Sequence, residues 1–168
     1  MERFSEEVEQ LSNIKSFDEF LFEFIDTMQR LSGVMVIIDD KILLVKPQKY
    51  KNMTDKWSIP KGKIEDKQTI LDTAVKELEE ETGIKLTKQR VEDSEKKKIF
   101  YKKSGKMKEL NVYIVRLNKE DLQVDITKKW SVHKKHFDND EVYKAKFFSK
   151  GEASIKLEMG QESLLKLM

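Results

Sequence analysis

The spacing of hydrophobic positions changes near residue 33, and the change divides the chain. Before it, Phe17, Phe20, Leu21, Phe24, Ile25, Met28 and Leu31 recur every three or four residues, which lines one face of a helix. Residues 1–31 therefore read as helical, with Ser16 and Glu19 spaced as a capping box. After Gly33 the apolar residues form unbroken, largely β-branched runs at 34–38 and 42–45, separated by Asp39, Asp40 and Lys41. That is a hairpin pattern, and its continuous apolarity predicts strands buried on both faces. A polar loop at 46–56 leads to an extended segment at 57–60, where Pro60 biases Ile59 away from helix. Over residues 69–81, Ile70, Leu71, Ala74, Val75 and Leu78 share one helical face, and Gly83 stands where a helix C-terminal glycine belongs. Two or three strands are expected over 87–117, the clearer two at 97–101 and 110–117 joined at Ser104-Gly105, and another strand at 145–149. From residue 152 the pattern predicts a terminal helix broken near Gly160. Residues 123–139 hold both histidines and Trp130 and show no clear period.

Strands mixed with helices over 168 residues predict an α/β fold with one main domain. No apolar run approaches the roughly 18 residues of a membrane-crossing helix. The first residues are acidic and lack the apolar core of a secretory signal, so a cytoplasmic location is expected. The absence of cysteine excludes a disulfide scaffold, a thiol nucleophile and thiolate-bound metal. Net charge is only +2, but residues 1–30 carry 3 basic and 8 acidic side chains, whereas residues 88–135 carry 15 basic and 7 acidic. The second region either offers a positive field to a phosphate-rich partner or is a solvated lysine-rich face. His133 and His136 lie in a polar loop and read as solvated histidines rather than zinc ligands. Tyr50, Trp57, Trp130 and Phe137 are candidates for stacking on a base, although Trp57 reads more simply as core.

The chemically informative stretch is 62–84. Glu77, Glu80 and Glu81 stand at i, i+3 and i+4 on the helix expected at 69–81, and so project within one narrow arc. Like charges at that spacing repel by roughly 0.2–0.5 kcal/mol per pair, and near a helix C-terminus they also oppose the macrodipole. A hard divalent cation bound by oxygens removes that penalty. The alternative is a solvated, glutamate-rich helix.

The stretch closely resembles the Nudix box: Gly, five residues, Glu, seven residues, Arg, Glu, aliphatic, any, Glu, Glu, any, Gly, aliphatic. Gly62, Glu77, Leu78, Glu80, Glu81, Gly83 and Ile84 match in register. Trp57-Ser58-Ile59-Pro60-Lys61-Gly62 and the later Phe147-Phe148 and Glu152-Ala153 are also similar to the family. Two positions depart: Gln68 stands for the first glutamate and Lys76 for the arginine. In the family these two pair. Here an amide and an ammonium keep a hydrogen bond but lose the bidentate fork.

The resemblance implies a Nudix-type α/β/α sandwich with a mixed β-sheet and an added N-terminal helix, residues 1–31 forming the extension and 32–168 the Nudix hydrolase domain. It implies hydrolysis of a diphosphate linkage with Mg²⁺, or Mn²⁺ as substitute. Glu77, Glu80 and Glu81 are the implied metal ligands, one of them a candidate for polarising the attacking water, with the Gly62 carbonyl as a further ligand. Lys61 and Lys63 are implied phosphate contacts. Glu141 takes the place of the general base found just before the late strand in relatives. Tyr101, 17 residues past the box, matches a marker of dinucleoside polyphosphate hydrolases. The expected substrate is thus a phosphate-rich nucleotide, dinucleoside polyphosphates first. Removal of an RNA 5′ cap or diphosphate, hydrolysis of a diphosphoinositol polyphosphate, and a catalytically silent nucleotide-sensing domain stay open.

Overall fold

The computed structural model describes residues 16–19 and 27–168. Six strands form one mixed sheet: β1 (Gln29–Ile38), β2 (Lys41–Pro47), β3 (Lys61–Lys63), β4 (Glu95–Lys103), β5 (Lys106–Leu117) and β6 (Val142–Ser149). Their order is β4-β5-β1-β2-β6, with β3 also paired to β1. The β1–β5 pair is parallel and the others are antiparallel. Three α-helices are described in full: α1 (Ile70–Thr82), α2 (Lys88–Glu92) and α3 (Lys150–Lys156).

Successive strand residues face opposite sides, and here both sides are covered. Met35 and Ile37 join Trp57, Ile99, Leu110, Phe148, Ala153, Leu157 and Leu164 in one core. Val34, Val36 and Ile38 join Ala74, Leu78, Tyr113, Val115 and Phe147 in the other. The unbroken apolar runs of β1 and β2 follow from this arrangement, because neither face meets water. Helix α1 covers one face, and α3 with the C-terminal 3-10 turn (Glu162–Leu167) covers the other. This is the expected α/β/α sandwich.

The hairpin turns on Asp39, at φ 52, and β4 and β5 turn on Ser104 and Gly105 as expected. Two expectations change. Residues 17–19 and 27 are helical, but β1 begins at Gln29, so Leu31 belongs to a strand and to the core rather than to a helical stripe. Phe17 is exposed, and Phe20, Leu21, Phe24 and Ile25 lie outside the described residues. The segment before β4 forms the short helix α2, because the Thr87 side chain accepts from Arg90 N–H and caps it.

Helix α1 is bounded by local chemistry. Thr69 and Asp72 form a reciprocal capping box, and Gly83 ends the helix in the left-handed region at φ 78. A Cβ at Gly83 would stand 2.4 Å from the His136 carbonyl oxygen, a backbone atom with no rotamer to change. Gly83→Ala is therefore expected to cost about 2–3 kcal/mol. A urea midpoint equal to that of the wild type would refute this assignment.

Candidate active site

Strand β3 sets two kinds of side chain on opposite faces of the sheet. Its register is Lys61↔Gly33, Gly62↔Ser32 and Lys63↔Leu31. Directly paired residues share a face, so Lys61 and Lys63 project with Leu31, on the side of α3. Gly62 projects with Ser32, whose hydroxyl donates to the Ile70 carbonyl at the start of α1. Gly62 therefore faces α1. A Cβ there would stand 2.2 Å from the carboxyl carbon of Glu77. The missing side chain is the space the Glu77 carboxylate occupies.

Glu81 accepts from the Lys61 backbone N–H at 3.2 Å. Burial pushes its carboxyl up to about 8, with Glu77 and Glu141 adding to the rise and Lys61 opposing it. Burial also raises Glu77, helped by the charges of Glu80 and Glu141 and opposed by Lys76 and Lys61. Glu141 thus acts electrostatically on two of the three helix glutamates. Its loop is tied down on both sides. Asp138 N–H donates to the Glu80 carbonyl at 3.1 Å, and Gln48 N–H donates to the Glu141 carbonyl at 2.8 Å.

Glu80 is exposed and pairs with Lys76 at 3.9 Å. The expected Gln68–Lys76 hydrogen bond is not formed among the described residues. Gln68 Oε1 instead accepts from Glu65 N–H and the Thr73 hydroxyl, at 3.4 and 3.3 Å. The reason is electrostatic: one turn along the helix Lys76 meets a full negative charge, whereas Gln68 offers only a dipole. Among the described residues no three carboxylates stand close enough to form a ready cage. Glu80 is drawn to Lys76 and Glu81 to the Lys61 N–H. The donor set nevertheless suits a divalent cation. It consists of hard oxygens, and Glu77 lies directly over the glycine whose carbonyl was expected to contribute.

On the lysine side, the Lys61 Nζ faces the buried Glu158 at 3.9 Å. Tyr101 lies here rather than among the carboxylates, its ring against Gly160. Its hydroxyl is buried and, among the described residues, meets no hydrogen bond of good geometry; burial, then the Glu158 charge, pushes it up to about 12, with the nearby Gln161 side chain opposing. Trp57 is in the core, edge-on to Phe148 at 4.8 Å, and Phe137 is buried too. Tyr50 and Trp130 stay partly exposed, each with two lysines near its ring. His136 Nε2 accepts from Asp125 N–H at 3.0 Å and His133 Nδ1 from Lys135 N–H at 3.2 Å. Sequence reasoning missed Glu158, Gln161 and Lys103. Glu158 carried no signal, standing between Leu157 and Met159 in a stretch read as plain terminal helix.

The NUDIX domain family model matches residues 28–168. The chain belongs to the Nudix family. Membership makes it a hydrolase of phosphoric anhydrides. Solved structures with the same fold include an Ap4A hydrolase from C. elegans in a binary complex, with 22% identity and a TM-score of 0.60, covering 82% of this chain and 93% of that one. A bifunctional NMN adenylyltransferase/ADP ribose pyrophosphatase from Francisella tularensis, complexed with AMP and a Mn ion, has 20% identity and a TM-score of 0.61, covering 89% of this Nudix chain and 46% of that one. A MutT NUDIX hydrolase from Burkholderia pseudomallei has 17% identity and a TM-score of 0.62, covering 83% and 96%. At these identities the likeness is one of fold. No curated protein matches the sequence.

Proposed function

We propose that this Nudix chain is a metal-dependent pyrophosphohydrolase that cleaves a diphosphate linkage in a nucleoside polyphosphate, with dinucleoside polyphosphates as the favoured substrates. The observation that carries this is the packing of the Glu77 carboxylate over Gly62 beside Glu81, both carboxyls held above their ordinary range with the Glu141 charge adding to each rise, and Lys61 joining them to a lysine-bearing sheet face. Buried carboxylates held in this way are poised for a cation. Lysines beyond them suit an anionic substrate.

Glu77, Glu81 and the Gly62 carbonyl would hold Mg²⁺ or Mn²⁺, joined by Glu80 once its side chain leaves Lys76. A bound cation supplies Lewis-acid charge against the negative charge that develops on the phosphate oxygens. Glu141 accepts the proton of the attacking water at a carboxylate oxygen, directly or through one further water. Lys61 and Lys63 bind non-bridging phosphate oxygens as point charges.

The test is product release from a substrate panel with Mg²⁺ or Mn²⁺. The panel holds nucleoside triphosphates, a dinucleoside tetraphosphate, ADP-ribose, a diphosphoinositol phosphate and a capped RNA. The dinucleoside tetraphosphate is expected to give the highest kcat/KM, and Glu80→Gln to lose about 100-fold or more of it. Hydrolysis unaffected by Glu80→Gln would remove the metal-site reading. One observation favours a second substrate: Lys96, Lys97, Lys98 and Lys102 are exposed along the edge strand β4. Preferential cleavage of capped RNA, with binding that weakens steeply with salt, would replace the nucleotide assignment.

A further inference from the structure

Glu158 is a buried acid that the hydrolytic reading leaves without a task. It is 3% exposed and lies just beyond α3. Its Oε2 meets the Lys103 Nζ at 2.7 Å. Its Oε1 accepts from the Gln161 Nε2 at 2.8 Å and faces the Lys61 Nζ at 3.9 Å. Gln161 is itself fully buried and accepts from Ile59 N–H at 3.2 Å. The backbone N–H of Glu158 donates to the Trp57 carbonyl at 2.7 Å. The carboxylate is thus fixed from several directions.

Packing alone does not call for an acid here. The surroundings are Trp57, Tyr101 and Leu157, all in the core, and a buried ion pair is often no more stable than apolar residues of the same volume. What the carboxylate does accomplish is to hold two ammonium groups. The Lys61 and Lys103 side chains remain 17% and 27% exposed, so each is held by the buried carboxylate while staying partly open to solvent. An ammonium has three donors, and the contact with Glu158 leaves the others for a ligand.

The sheet register extends the group. Lys103 lies opposite Lys106, and Tyr101 opposite Lys108, so all four share the face of Lys61. The charges of Lys61, Lys103 and Lys106 all bear on Lys108. One carboxylate among these lysines leaves this face net positive as far as the end of the β4–β5 hairpin, and Lys61, whose charge also bears on Glu77 and Glu81, links it to the carboxylate site.

We infer that Glu158 is a positioning residue: it holds Lys61 and Lys103 as a fixed pair that receives substrate phosphates lying beyond the scissile linkage. The inference rests on the pyrophosphohydrolase reading and deepens it to substrates with an extended phosphate chain. A free lysine surrenders side-chain entropy when it grips a phosphate. A lysine already anchored surrenders less, so the pair strengthens binding without touching the reacting phosphorus.

The test is steady-state kinetics of Glu158→Gln with a dinucleoside tetraphosphate and with ADP-ribose, whose linkage has two phosphates. KM for the tetraphosphate is expected to rise about 5–10-fold with kcat within twofold, while KM for ADP-ribose changes little. Lys103→Met is expected to raise the same KM, and the double variant to raise it further, because Glu158 still holds Lys61 in Lys103→Met, but by less than the product of the two single effects. Calorimetric binding of inorganic tripolyphosphate to the full chain in EDTA should weaken by a similar factor in each variant. Unchanged KM and tripolyphosphate affinity in Glu158→Gln would overturn the inference, as would equal loss of kcat on both substrates. If thermal melting shows that Glu158→Gln does not fold, Lys103→Met decides, and unchanged tripolyphosphate affinity in it overturns the pair. Tripolyphosphate binding that needs Glu158, in a protein that hydrolyses nothing in the panel, would support the pair and sink the hydrolytic reading.

Discussion

Gly62→Ala is expected to fold normally and to lose about 100-fold or more in kcat. The two effects separate because of what the new methyl group meets. Its nearest neighbours are the Glu77 carboxyl carbon at 2.2 Å and Oε1 at 2.3 Å. These are the far end of a flexible side chain, which can swing aside at little cost to the fold. Gly62 does not need the left-handed region, so alanine brings no backbone strain. The displaced group is nonetheless a proposed metal ligand, and a misplacement of about 1 Å in a catalytic constellation can cost on the order of 100-fold. The measurement is kcat at saturating Mg²⁺ beside a thermal melt. Near wild-type kcat would show that the Glu77 position over Gly62 is not the working one. The contrast with Gly83→Ala is informative, because there the obstacle is backbone and the expected loss falls on stability.

Metal-free protein is expected to lose stability as pH rises from about 4.5 to about 8, and added Mg²⁺ to restore it. The Glu81 carboxyl is raised from 4.5 to about 8, chiefly by burial. Between those values the folded chain keeps a proton that the unfolded chain has released. More protons on the folded state means that stability falls with rising pH. The contribution is full below about pH 4.5 and gone above about pH 8. At about 1.4 kcal/mol per pKa unit the ceiling is near 5 kcal/mol, and local relaxation reduces it to on the order of 2–4 kcal/mol. Urea midpoints in EDTA across this range measure it. Glu81→Gln should flatten the profile and raise midpoints at the alkaline end, since the amide needs no proton to stay neutral. A wild-type profile already flat in EDTA would contradict the raised Glu81.

The fold was legible where burial is two-sided or capping is local. The β1 and β2 runs, α1 with Thr69 and Gly83, and the Ser104-Gly105 turn are each written in adjacent residues. The limits of β1 were not, because Gln29 and Arg30 are polar and enter the sheet by pairing with Lys108 and Glu109, far along the chain. Here Arg30 meets Glu109 at 2.8 Å, a contact no periodicity announces. At the site, the helix glutamates and Gly62 were legible as a local pattern. The partner of Lys76 was misjudged, because the pairing with Gln68 was carried over from the resemblance, whereas Glu80 one turn along offers Lys76 a full charge. Glu158, Gln161 and Lys103 converge only through the tertiary fold.

The division of labour along the chain has a consequence for its synthesis. Glu77, Glu80, Glu81 and Gly62 fall within one continuous segment, and the capping of α1 is local to it. The parallel β1–β5 pairing, the Glu141 loop and Glu158 all arrive later, and the sheet closes only when distant parts of the polypeptide meet. Long-range closure of this kind is slow compared with helix formation. A nascent or prematurely ended chain therefore carries the acidic helix without the proposed base or the anchored lysines. The proposed hydrolysis therefore waits until the later segments carrying Glu141 and Glu158 have docked onto that helix.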